Sequence, residues 1–193
     1  MMKRLSSLVL CAAMLAAPVA PAYALFDSKS VAQQRADILK QNEQIMSRLY
    51  RVEPHAKELV AKSVGYATFS NFGMKIFIAG GGSGTGVVMR KGNGKPVFMK
   101  MVEVQAGLGM GIKSFSAIFV FETESALNSF INSGWEFGGQ ATAAAKYENN
   151  GGAYEGAANV SEGVWMYQLT DNGLAAEITA KGTKYYQDSD LNK

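Results

Sequence analysis

Glycine occupies every second position twice near the middle of the chain: Gly80, Gly82, Gly84 and Gly86, then Gly107, Gly109 and Gly111. Period two is the side-chain period of a β-strand. Each series, formed as a strand, leaves one face without side chains. Glycine weakens a strand interior and is found where the backbone bends sharply or another surface lies close against it. The two series therefore predict a strongly curved sheet.

Spacing excludes the nucleotide loops that so many glycines resemble. A dinucleotide fingerprint places its third glycine five residues after the first, where this chain has Thr85 or Val87. Gly81 and Gly86 have the gap of a Walker A loop, but Val87 stands where lysine is needed.

The first residues have the pattern of a secretory signal. Lys3 and Arg4 precede an apolar run, Leu5 to Ala17, shorter than the roughly 20 residues that span a bilayer. Ala22-Tyr23-Ala24 is a small-x-small cleavage site. Residues 1–24 are thus expected to be removed and the protein to be exported, periplasmic or secreted. Cys11 is the only cysteine and follows Leu10, whereas a lipoprotein signal wants a small residue there. Cleavage after Ala24 leaves no thiol nucleophile, disulfide or cysteine metal site. It also lowers the basic count from nineteen to seventeen against sixteen acidic residues, which is not the balance of a nucleic-acid binder.

Hydrophobic spacing predicts an amphipathic helix over 31–52 within an N-terminal segment 25–53, with Val31, Ile38, Ile45 and Val52 recurring at sevens and Ser28 or Ser30 as N-cap. A short helix follows Pro54. His55, the only histidine, cannot make a zinc site by itself. From Val64 the texture is that of strands: 66–70, 75–79, 84–90, 97–104, 107–113 and 116–121, with turns at Asn71-Phe72-Gly73 and Gly92-Asn93-Gly94. Ala117 to Phe121 is apolar throughout, as in a strand buried on both faces. Thr123 caps a further helix that ends at Gly134. Strand character resumes over 135–147, a Gly/Asn-rich loop covers 148–159, and strands 160–169 and 174–180 flank the hairpin signal Asn172-Gly173. Residues 181–193 have the composition of a polar tail.

In this order the segments resemble the SYLF domain, known from eukaryotic endocytic proteins and exported bacterial proteins. The resemblance runs from Ala61-Lys62-Ser63-Val64-Gly65-Tyr66 through the two glycine series and Ile118-Phe119-Val120-Phe121. It closes with Trp165-Met166-Tyr167, Gly173-Leu174-Ala175-Ala176-Glu177 and Lys184-Tyr185-Tyr186. Where the family carries a Trp-Ser-x-Pro element, this chain has Gly94-Lys95-Pro96-Val97-Phe98. The resemblance implies a non-enzymatic lipid-binding domain over 54–193 that needs no cofactor. Its partner would be a phospholipid or membrane surface. The actin binding of eukaryotic relatives is not expected of an exported protein.

The expected fold is α+β: N-terminal helices, then a strongly curved antiparallel sheet or partly closed barrel with one inserted helix. Lys75, Arg90, Lys91, Lys95 and Lys100 are the candidate contacts for anionic headgroups; solvated strand and turn charges guarding an edge are the plainer reading. The alternative function is an envelope module that associates with itself through its Gly107/Gly109/Gly111 and Ala141/Ala143/Ala145 faces. Acid pairs such as Glu103 with Glu122, or Asp171 with Glu177, fall in no catalytic motif, and no Gly-x-Ser-x-Gly or His-Glu-x-x-His occurs.

Overall fold

A computed structural model of the chain describes residues 29–76, 79–92, 94–106, 111–137, 154–175 and 182–193. Two helices come first. In α1, Val31–Val52, the Ser30 side chain accepts from the Gln33 amide at 3.2 Å, which satisfies one of the first-turn donors. Its buried side carries Ile38, Asn42, Ile45, Met46 and Leu49. Val31 and Val52, at the ends of the sevenfold stripe, are exposed. Helix α2, Ala56–Lys62, follows the Pro54 turn and buries Ala56, Leu59 and Val60.

The strands are β1 Gly65–Ile76, β2 Ala79–Arg90, β3 Val97–Ala106, β4 Gly111–Phe121, β5 Trp135–Phe137, β6 Ala158–Ser161, β7 Val164–Thr170, β8 Gly173–Leu174 and β9 Thr183–Gln187. Helix α3, Glu124–Ser133, is inserted between β4 and β5, with the Thr123 hydroxyl accepting from the Ala126 amide. The strands form one antiparallel sheet in the order β5-β9-β3-β2-β1-β4-β7-β6, with β8 added to β7. The α+β architecture with leading helices, a curled sheet and one inserted helix is as expected.

Four local expectations are corrected. No turn forms at Asn71-Phe72-Gly73: β1 runs straight through, and every residue from Gly65 to Lys75 has a partner on both β2 and β4. Residues 111–121 form one strand instead of two. The expected strand 160–169 is a hairpin, β6 and β7, turning at Glu162-Gly163. The supposed polar tail supplies β9, which pairs with both β3 and β5. Except at the hairpin, where Gly163 turns the chain at φ 68°, pairing with flanking strands outweighs a short-range turn or composition signal.

The curl can be measured from ring contacts. Tyr185 on β9 is three strand spacings from Phe69 on β1 and four from Phe119 on β4, or about 14 and 19 Å in a flat sheet. The ring centroids are instead 4.7 and 5.0 Å apart. The sheet therefore wraps round a shared interior where these rings meet Phe130 of α3 and, through Phe119, Trp135. The glycines of β2 make room for this. A methyl group on Gly86 would lie 2.3 Å from Phe69 Cδ1, and one on Gly84 2.8 Å from Met101 Cγ. Phe69 and Met101, the cross-strand partners of these glycines, lie over the bare backbone. Gly80 and Gly82 continue β2, and Gly111 opens β4; Gly107 and Gly109 lie outside the described residues.

Helices α1 and α2 cover the outer face. Ile118 and Val120 of β4 pack there with Leu49, Leu59, Trp165, Tyr167 and Leu169, while Phe119 and Phe121 pack inside. The apolar run at 117–121 is thus buried on both faces, as its composition implies. A polar link sits in the same layer: Thr68 Oγ1 donates to Asn42 Oδ1 at 2.8 Å, and Asn42 Nδ2 donates to the Tyr66 hydroxyl at 3.4 Å. No helix of the described residues is long and apolar enough to cross a membrane.

Candidate functional site

The five cations singled out in the sequence do not all come together. Lys75 pairs with Gly80 at one end of β1–β2, whereas Arg90 pairs with Gly65 at the other, about 33 Å away at strand rise. Arg90 is bound to α3, through Glu124 at 3.0 Å and through Asn128 Oδ1. Lys91 donates to the Ala61 carbonyl at the end of α2. Lys100 pairs at 3.0 Å with Asp188, a buried carboxylate that also accepts from the Asp190 and Leu191 amides. Lys95 is exposed beside Pro96. Arg90, Lys91 and Lys100 thus hold the sheet to its neighbouring segments.

A better-formed basic recess lies between the helices and β1. It is a groove of about 560 Å³ whose wall is Met46, Tyr50 and Tyr66, with Asn42 and Ser47 alongside. Arg51 and Lys57, both exposed, line it as well, with a single acid, Glu43. Lys57 Nζ sits 5.7 Å from the centre of the Tyr50 ring, within the range of cation–π attraction. Burial, and then the neighbouring Tyr66, push the Tyr50 hydroxyl pKa up, so it is a neutral donor at the groove. The recess exists because the Pro54 turn folds α2 back beside the end of α1, and because Asn42 ties α1 to Tyr66 and Thr68.

Sequence reasoning missed this site. Arg51 and Lys57 lie on two helices on either side of a turn, and no period links them. The available signal was Tyr50-Arg51 immediately before the Pro54 break and Lys57 just after it, which a helical hairpin brings together.

Glu103 and Glu122 lie in different settings. Glu103 is buried inside the sheet, in register with Thr183. Glu122 is exposed and accepts from the Tyr154 hydroxyl at 2.6 Å, which raises that tyrosine's pKa. Glu177 and the Ala141/Ala143/Ala145 face lie outside the described residues.

The family model Ysc84, described as "Las17-binding protein actin regulator", matches residues 102–193. That match agrees with the resemblance to the SYLF domain over those residues. The SYLF match starts within β3 and takes in β4 to β9 with α3; α1, α2, β1 and the glycine strand β2 precede it. Likeness to an Aeromonas veronii protein named "Beta cell expansion factor A" reaches further. The two are 27% identical over 169 residues, 88% of this chain and 63% of that protein. The chain therefore spans under two thirds of that relative's length.

Proposed function

We propose that this protein is a non-enzymatic lipid-binding domain that acts at a membrane face of the cell envelope and recognises anionic phospholipid headgroups. The observation that carries the reading is the α1–α2 groove. Apolar and aromatic side chains line it together with Arg51 and Lys57 and one carboxylate. A phosphate at the two cations and the first carbons of a chain along Met46 and Tyr66 would match that chemistry. The SYLF match supports the lipid class. It does not bring actin with it, because an actin regulator has cytoskeletal partners that an exported chain would not meet.

Each cation near an anionic surface contributes about 1 kcal/mol, so removing two costs about 2 kcal/mol, or roughly thirtyfold in partitioning. Co-sedimentation with phosphatidylglycerol vesicles at low salt should retain the wild type. The double variant R51A/K57A should lose about thirtyfold, and neutral phosphatidylcholine vesicles should bind neither. No sedimentation of the wild type at low salt, where such attraction is strongest, rules the function out. Binding unchanged in the double variant rules out this groove.

A further inference from the structure

His55 has partners that its sequence neighbours do not reveal. Its Nδ1 lies 3.1 Å from Glu53 Oε1 and 3.6 Å from Glu155 Oε2. The three ligand atoms all fall within 4.8 Å of one another. A tetrahedral zinc with bonds of 2.0–2.2 Å holds its ligands about 3.4 Å apart, so this triangle already has nearly the dimensions of a coordination face.

Glu53 makes the cluster more than a surface charge group. Its side chain is only 9% exposed. Oε1 accepts from the His55 backbone N–H at 3.1 Å, which fixes the carboxylate. Oε2 accepts no hydrogen bond among the described residues and faces Gly156, 3.7 Å from where a Cβ would stand. A carboxylate taken out of water needs compensation, and among the described residues only Oε1 has it, from the His55 N–H and ring. Burial and the Glu53 charge also keep the nearby Tyr167 hydroxyl protonated. His55 and Glu155 are 56% and 61% exposed, which leaves an entry path from solvent.

We infer that Glu53, His55 and Glu155 bind one divalent transition-metal ion of the zinc class, with solvent completing the shell. The imidazole selects such ions over calcium and magnesium, which prefer all-oxygen ligation. The ligands come from the C-cap of α1, the N-cap of α2 and the turn leading into β6. The ion would therefore pin the helical hairpin to the far edge of the sheet. This inference is independent of the lipid reading.

Because His55 is the chain's only histidine, its ring protons report on the site alone. The full chain carrying C11S, which removes its one thiol, should be titrated with Zn²⁺ and, separately, with Ca²⁺. One equivalent of Zn²⁺ should shift the His55 ring signals and raise the melting temperature, and Ca²⁺ should do neither. H55A and E155Q should bind Zn²⁺ at least about tenfold more weakly, and E155Q, which alters an exposed side chain, should melt like the parent without metal. His55 signals unmoved by Zn²⁺, Ca²⁺ acting as Zn²⁺ does, or undiminished Zn²⁺ affinity in either variant overturns the inference.

Discussion

Single glycines decide whether the sheet can curl. Gly86 faces Phe69 and the Thr68 carbonyl at distances that no Cβ tolerates, whereas a Cβ on Gly81 would meet only the Glu103 carbonyl at 3.4 Å. Gly86→Ala should therefore cost about 2–3 kcal/mol through overpacking, and Gly81→Ala should change stability by less than about 1 kcal/mol. Urea unfolding of the two variants checks this; equal losses would mean that the spacing of two has no facing preference. That periodicity was legible in the sequence, and so was its meaning. Which residues fill the bare face was not. Phe69 and Met101 come from neighbouring strands, and register is a tertiary property set by the whole sheet.

At the scale of elements, legibility followed burial. Helix α1, helix α3 with its Thr123 cap, and the doubly buried β4 core could be read because their apolar patterns are long and unbroken. The Asn71-Phe72-Gly73 turn signal misled because partners on both sides hold β1 extended there. The closing segment misled for the opposite reason: Lys184, Tyr186 and Gln187 are exposed and give it a polar composition, while Thr183 and Tyr185 between them point inward. Truncation after Gly182 would remove Tyr185 from the centre of the aromatic cluster, and also Leu191 and Lys193, whose carbonyls accept from Arg35. A chain so shortened should lose its cooperative thermal transition, which calorimetry would detect; an unchanged transition would return 183–193 to the status of a tail. Thr123→Ala should cost about 1 kcal/mol through loss of the α3 cap, read from the urea midpoint.

For the molecule as a whole, the interior sets an alkaline limit. Burial, and then the Glu103 charge, push the Tyr185 hydroxyl far above its ordinary pKa, and burial does the same to Tyr167. The folded state thus holds these protons more tightly than the unfolded chain. Stability from this source is complete below about pH 10 and falls as pH climbs beyond it, by about 1.4 kcal/mol per unit for each tyrosine. Absorbance at 295 nm should show two tyrosines ionising only as the protein unfolds. A single transition near pH 10 in the folded state would contradict the packing.

The same scale holds the functional claim, that a curled scaffold presents the α1–α2 groove to anionic lipid. Amide chemical-shift mapping with a short-chain phosphatidylglycerol below its micelle concentration tests it most directly. The largest shifts should fall at Ser47, Tyr50, Arg51, Lys57 and Tyr66. Shifts centred instead on Lys91 and Lys95, or none at all, would contradict it.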